Sequence, residues 1–395
     1  MSANVPNTLR QMNKSLVLNI IREHSSLSRA QIAKIAGITK ATISEIVSEL
    51  LDEKIIYESG AMENSGLGRK GIMLNFDANH GVGVGIDLGG TKISFSLFNL
   101  NAELLATEQA ETYKVTTRKQ FLKLFNQAIR NLLDKYSISA DKLKVIGIAT
   151  PGIVDYHRGI VLEGSPNLPE WENIALADEV SAVFNVPVVL ENDIRSALIG
   201  EMWKGKCQKV HSAALIGVGT GLGAALLMDG KIIRGANNGA GEIGYMMFSR
   251  EHLNQNWRNK GCFEVHCSGS GISQRYQEMS GKNLTAHAIA QLAQQGDTLA
   301  DSLFRDLADY LAIGILNIIA IANPEKIILT GGVIRSSPLF LHYVQSHINQ
   351  HTFTQTQIQV EQSELGTQAP LYGIAVLALN RVYPSIQFMS DAQLS

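Results

Sequence analysis

Cysteine is nearly absent. Cys207, Cys262 and Cys267 are the three in 395 residues, too few and odd in number for a disulfide framework, as expected where thiols stay reduced. Long apolar runs are missing too. No uninterrupted stretch reaches the ~18 residues a membrane-spanning helix needs, and the N-terminus lacks the apolar core of a signal peptide, so a soluble cytoplasmic protein is expected. Charge of one sign is also missing: the net charge is −2, which excludes a general attraction to polyanions. What the chain has is apolar material, 45% against 18% charged residues, enough for two or three cores.

The charge that is present is unevenly placed. Residues 1–44 carry Arg10, Lys14, Arg22, Arg29, Lys34 and Lys40 against Glu23, whereas 45–63 carry six acids against Lys54. The front of this segment is therefore the part suited to meet phosphate. Leu9, Met12, Leu16, Val17, Ile20 and Ile21 recur at three- and four-residue steps, which predicts a first helix with one apolar stripe. Ser28, with Gln31 three residues on, is a capping-box pattern opening a second helix whose Ile32, Ala33, Ile35 and Ala36 face inward; Gly37 ends it. Thr39 caps a third helix with apolar Ile43, Ile46, Val47, Leu50 and Leu51. Lys40, Ala41, Thr42, Ser44 and Glu45 then lie near its outer N-terminal end, where a recognition helix touches base edges. Ile55, Ile56 and Tyr57, a loop holding Gly66, Gly68, Arg69 and Lys70, and the apolar Met73, Leu74 and Phe76 complete the order of a winged helix. The candidate DNA contacts are Ser28, Arg29, Thr39, Lys40, Thr42 and Ser44, with Arg69 and Lys70 reaching phosphate or minor groove from the loop tip. The alternative is a small protein-docking module, but a glycine turn before a small-polar third helix suits a major groove better than a flat protein surface.

A different chemistry starts near residue 80. Val82, Val84 and Ile86 alternate with glycines, then Asp87, Leu88, Gly89, Gly90, Thr91 and Lys92 precede an alternating Ile93, Phe95 and Leu97. This predicts a tight hairpin whose glycines let backbone N–H groups approach phosphate, with Thr91 and Lys92 bonding to it and Asp87 orienting magnesium. A second cluster, Gly219, Thr220, Gly221, Leu222, Gly223 and Ala224, follows the apolar Leu215, Ile216 and Val218. Each alone reads equally as a plain hairpin; two of matched form suggest duplicated lobes closing over one nucleotide. Thr330, Gly331 and Gly332 after Ile327, Ile328 and Leu329 form a third candidate, against an adenosine.

Between them Val188, Val189 and Leu190 run as a buried strand into Glu191, Asn192 and Asp193, followed by a helix from Ile194 to Trp203. A carboxylate at the carboxyl edge of a sheet is well placed for a crevice. Asp193 can take the proton from a sugar hydroxyl attacking a γ-phosphoryl group while Asn192 holds a neighbouring hydroxyl; alternatively Asp193 only caps the next helix.

These residues together resemble the ROK family of repressors, open reading frames and sugar kinases, and within it the winged-helix repressors of sugar utilisation. The likeness runs from about Asn13 to Tyr383. It rests on Ser28-Arg29-Ala30, Gly68-Arg69-Lys70, Asp87 to Lys92, Pro166-Asn167-Leu168 before Trp171, Glu191-Asn192-Asp193, Gly219 to Ala224 and Gly261-Cys262-Phe263-Glu264. The resemblance implies an α/β protein: a winged helix-turn-helix followed by a two-lobed actin-like (ribonuclease H-like) ATPase fold with sugar bound in the cleft. It implies that Asn192, Asp193, Glu242 and Glu264 contact sugar hydroxyls, with Asn167 a further contact. Family members usually carry a structural zinc held by one His and three Cys. Here Tyr245 stands for the His, Gln255 and Trp257 for the first two Cys, and only Cys262 survives, so no zinc is expected at the family position. Tyr245 still offers a hydroxyl to the sugar. His252, Cys262, His266 and Cys267 are an irregular substitute cluster; a loop packed by Trp257 and Phe263 is the plainer reading.

The expected division is 1–80, 81–191 and 192–395. A helix from Pro370 through Tyr383 is expected to return to the first lobe, a helix over 304–322 to be buried, and the tail after Ile386 to be loose. The function expected is a regulator, most simply a repressor, that binds an operator as a homodimer and responds to a sugar or sugar phosphate; Mg-ATP-dependent sugar kinase activity is the alternative.

Overall fold

The computed structural model describes residues 5–24, 26–60, 72–112, 114–164, 168–258, 260–353, 358–389 and 391–394. Its N-terminal head comprises α1 (Val5–Glu23), β1 (Leu27–Ser28), α2 (Arg29–Ala36), α3 (Lys40–Asp52), β2 (Ile56–Ser59) and β3 (Met73–Phe76), with sheet order β1-β3-β2. Ser28 and Gln31 form the capping box and Gly37 ends α2 in the left-handed region, where glycine carries no Cβ penalty. Val17, Leu18, Ile21, Ile32, Ile43, Val47 and Leu50 make the head's core. Two inward assignments fail. Ile35 is exposed, and so are Leu9, Met12 and Leu16 at the front of α1, because α2 and α3 cover only the C-terminal half of that stripe.

The body holds two five-stranded sheets of one plan. The first contains β4 (Val82–Leu88), β5 (Lys92–Asn99), β6 (Leu104–Glu111), β7 (Leu143–Thr150) and β10 (Val188–Asn192), in the order β10-β7-β4-β5-β6; α4 (Arg118–Lys135) and α5 (Leu176–Phe184) interleave, and β8 (Ile153–Asp155) pairs with β9 (Ile160–Glu163). After α6 (Asp193–Lys204), the second contains β11 (Ala213–Val218), β12 (Leu222–Met228), β13 (Lys231–Ile233), β14 (Lys326–Thr330) and β15 (Val360–Gln362), in the order β13-β12-β11-β14-β15. In each, three antiparallel strands precede two parallel ones. β4 thus corresponds to β11, and the loops at 89–91 and 219–221 are equivalent turns.

Helices α7 (Cys262–Cys267), α8 (Gly269–Ser280), α9 (Ala286–Gln294), α10 (Thr298–Ala322) and α11 (Leu341–His351) complete the second lobe. α10 is buried along Leu303, Phe304, Leu307, Leu311 and Ile315, though Ile321 at its end is exposed. α12 (Ala369–Val382) returns to lie on α6 and on β4 and β7. That contact is close: a Cβ on Gly373 would meet the Ser196 carbonyl oxygen at 1.8 Å, so glycine sets the helix separation. The tail is not loose. Ile386, Phe388, Met389 and Leu394, the last in α13 (Asp391–Leu394), are buried, and all four join one apolar cluster with the head and with Phe98 and Leu100. No helix of the described residues is long and apolar enough to cross a membrane.

Candidate functional site

The carboxyl edge of the first sheet gathers the acidic candidates. Asp87 on β4 pairs in register with Ala149 on β7, and Thr150 next to it with Asn192 at the end of β10. Asp87 and Asp193 are thus brought to one edge. Desolvation, and then the charge of Asp193, push the Asp87 carboxyl up to about 8. Burial also raises Asp193, against the Ile194 amide and Arg195. Glu242, before a 3-10 turn at Ile243–Tyr245, is raised by desolvation and then by Asp193, with Arg195 opposing and Glu264 and Glu163 adding. Crowded carboxylates in a desolvated place are sites for a proton, a cation or hydroxyl donors. Glu163 at the end of β9 belongs to this field and sequence reasoning missed it, for no local pattern marks it.

Asn192 is more constrained than expected. Its Oδ1 accepts from the Ile194 and Arg195 amides (3.0 and 3.1 Å), making it, rather than Asp193, the N-cap of α6. Its Nδ2 donates to the Gly152 carbonyl at 3.1 Å, leaving one amide hydrogen for a ligand. Glu264 accepts from the Leu222 amide at 3.0 Å, tying it to the second glycine loop. The Tyr245 hydroxyl donates to the Arg258 carbonyl at 3.1 Å and keeps its acceptor capacity. Asn167 lies outside the described residues.

Below these groups lies a network with no sequence signature. Glu191 is fully buried; its Oε1 accepts from Arg195 Nε (2.8 Å) and from the Asn192 amide (2.8 Å), and its Oε2 from Arg234 Nη2 (2.7 Å) and Nε (3.1 Å). Strand spacing hides the Glu191–Arg234 pair from any local reading.

The phosphate-loop candidates are partly open. Gly89 donates to the Lys92 carbonyl at 2.9 Å, and Thr91 and Lys92 are exposed; Gly90 is half-buried. In the second loop the Gly219 and Thr220 carbonyls accept from Gly269 and Ser270 at the start of α8, while a Cβ on Gly219 would meet nothing within 4 Å. A Cβ on Gly221 would press on Glu264 Oε2 at 2.7 Å. Gly331, at φ 105°, abuts the Val218 carbonyl, whereas Gly332 faces open space. Bare backbone beside open space is what a nucleotide needs for close approach.

The four residues of the substitute zinc cluster are divided. Cys262 Sγ lies 3.1 Å from His252 Nδ1, but His266 stacks on Tyr310 at 3.7 Å and pairs with Asp306, and Cys267 Sγ points to the Leu307 carbonyl. These donors do not build a tetrahedral site. Trp257 instead donates to the His252 carbonyl, and Phe263 packs edge-on against Phe248.

In the head, most DNA candidates are engaged internally. Ser28 and Thr39 cap their helices, Thr42 Oγ1 lies 2.9 Å from Thr39 Oγ1, and Ser44 donates to the Lys40 carbonyl. Arg29 pairs with Glu58 at 2.9 Å, Arg10 with Glu49, and Lys14 with Glu49 and Glu53. The excess of cations expected at the front is thus largely neutralised by the following acids. Lys34 and Lys40 remain exposed, with no ion pair among the described residues. Arg69 and Lys70 lie outside the described residues.

A capped recognition helix with wing strands, set on duplicated lobes whose glycine loops and acids share one edge, defines a DNA-binding head on an actin-like, kinase-type body. The chain belongs to the ROK family, whose model matches residues 83–381, and residues 13–57 match a winged helix-turn-helix DNA-binding model. It is similar to the xylose repressor of Caldicellulosiruptor bescii (30% identity, 94% of this chain and 96% of that one) and to the DNA-binding transcriptional dual regulator NagC of Escherichia coli (26%, 93% of each). Among solved structures, a ROK family transcriptional regulator, a homologue of the E. coli MLC protein, shares the fold over 96% of this chain and 98% of its own (TM-score 0.79, 24% identity). A ROK family glucokinase from Streptomyces griseus, in complex with glucose and AMPPNP, matches 75% of this chain and 99% of its own (TM-score 0.64, 27% identity).

Proposed function

We propose that this protein is a sugar-responsive transcriptional repressor: a monosaccharide or its phosphate binds among Asn192, Asp193, Glu242, Tyr245 and Glu264, and the operator affinity of a homodimer falls. The observation that carries this reading is the union, in one chain, of a recognition helix with exposed Lys40 and a cleft edge crowded with carboxylates suited to hydroxyl donors. The repressor names of the similar full-length relatives support it. Two heads are required because half-sites one helical turn apart need two readers, and a ligand shifts DNA binding only by its differential affinity for two shapes. The test is operator binding with xylose, N-acetylglucosamine, glucose and their phosphates. One of them should release DNA; absence of any sequence-specific DNA binding overturns the proposal.

A second activity is supported by the open backbone at Gly219 and Gly332 together with the Asp87–Asp193 pair. Asp87, Gly89, Gly90, Thr91, Lys92, Gly219, Thr220, Gly221, Gly331 and Gly332 would hold Mg-ATP, which supplies the phosphoryl group when bound. Asp193, its pKa raised by burial, would take the sugar hydroxyl proton. ATP turnover with the cognate sugar tests this, and an Asp193→Ala variant as active as the parent refutes it.

A further inference from the structure

The C-terminal tail touches both the head and the body. At the head, the Ser385 carbonyl accepts from Ser15 Oγ (2.8 Å) and Asn19 Nδ2 (2.9 Å), the Gln387 amide donates to Asn19 Oδ1 (3.0 Å), and the Gln387 carbonyl accepts from Arg22 Nη2 (3.0 Å). The Arg22 guanidinium also lies over the Phe388 ring, 4.7 Å from its centroid, and Phe388 packs edge-on against Trp203 at 5.1 Å. Three residues of α1, Ser15, Asn19 and Arg22, are thus gripped along one side. At the body, α13 rests on β13, and the Leu394 carbonyl accepts from Arg234 Nη1 at 2.6 Å. Arg234 is the residue whose other nitrogens hold Glu191.

A chain of direct contacts therefore runs from Asn192 through Glu191 and Arg234 to Leu394, and along the tail to α1. A second route, the rigid helix α6, leads from Asn192 to Trp203 and meets the tail at Phe388. The Glu191 end cannot yield freely: a buried carboxylate that loses a guanidinium is left uncompensated, so displacement of the Asn192 backbone carries Arg234 with it. The network also has an unfilled position. Arg195 donates Nε to Glu191 and Nη1 to the Asn238 carbonyl, but its Nη2 is buried without a partner among the described residues. A hydroxyl bound beside Asp193 and Glu242, whose charges Arg195 feels, would satisfy that donor and draw the network into a second arrangement.

We propose that residues 385–389 and 391–394 form a strap that couples the cleft to the head, with Arg234 and Glu191 as positioning residues at one end and Arg22 and Phe388 at the other. The proposal rests on the repressor reading for its biological use, but the mechanical link stands or falls separately. Amide hydrogen exchange of the full-length protein reads it. In an Arg234→Gln variant, exchange over 15–22 and 385–394 should accelerate about tenfold or more while 43–50 in α3 keep the parent's rate. A change confined to 191–195 and 231–238 overturns the strap. Phe388→Ala attacks the other end, and should loosen 15–22 with 191–195 unaltered; unaltered 15–22 overturns it as well. Should both variants unfold, the parent decides: a sugar from the panel above that raises its melting temperature must change exchange over 385–394 and 15–22, and protection limited to the cleft refutes the coupling. If no sugar affects melting or DNA binding, the repressor reading fails, while the exchange of the two variants still judges the strap.

Discussion

Arg29 is held by Glu58, its Nη2 2.9 Å from Oε1, so the cation at the start of α2 is tied to strand β2. Lys40, at the start of α3, is exposed without such a partner among the described residues. Phosphate contact by a free cation contributes to salt-dependent affinity; a paired one must first give up its partner. Lys40→Ala should therefore weaken operator binding and lower the salt slope by about 1, whereas Arg29→Ala should change the slope less. Titrations across salt concentration check this, and a larger effect at Arg29 contradicts it.

Glu191 predicts a stability effect larger than surface substitutions give. Its removal leaves Arg195 and Arg234 buried and unpaired, a class of change that costs roughly 3–5 kcal/mol. Glu191→Ala should lower the thermal midpoint by many degrees. A midpoint shift within about 2 °C would show the network to be dispensable.

The raised acids set a pH dependence. Asp87 holds its proton in the fold up to about 8, against an ordinary value of 3.8, so between those limits the folded state binds more protons than the unfolded one. Its stabilising contribution is full below about pH 4 and is lost as pH rises through about 8, with a slope of up to ~1.4 kcal/mol per pH unit; Asp193, also raised, acts in the same direction. Melting temperatures followed from acid to mildly alkaline pH should fall, and Asp87→Asn should flatten the curve. Magnesium should raise the alkaline melting temperature of the parent but not of that variant. A curve that rises with pH in the parent and is unchanged in Asp87→Asn is incompatible with this pair.

Neighbouring glycines should separate folding from ligand approach. Gly331 is at positive φ with a Cβ position 2.4 Å from the Val218 carbonyl, while Gly332 meets nothing within 4 Å. Gly331→Ala should cost more than ~1 kcal/mol and distort the edge of β14. Gly332→Val should leave unfolding within about 0.5 kcal/mol of the parent, yet reduce nucleotide binding measured by calorimetry. Equal stability losses at the two positions would remove the distinction.

Much of the architecture was legible because it is written in local patterns. The capping box at Ser28 and Gln31, the glycine turn at Gly37 and the alternation on both sides of Gly89 and Gly219 each depend on residues a few places apart, and backbone sterics and hydrogen bonding read them directly. The candidate site was legible only as fragments. Asp193 and the glycine loops could be marked on the sequence, but that Asn192 rather than Asp193 caps α6 depends on which side-chain oxygen reaches the free backbone N–H groups.

By itself, then, the sequence determined the order of modules, the matched loops and the acids at the ends of strands, since periodicity, caps and glycine positions act over short range. Only the tertiary structure decided that the N-terminal cations are answered by Glu49, Glu53 and Glu58, that Glu163 joins the acidic edge, and that a polar tail is pinned between Arg22 and Arg234. Charge pairing and burial depend on distance in space, and residues separated by up to 370 positions share no pattern until the chain has folded.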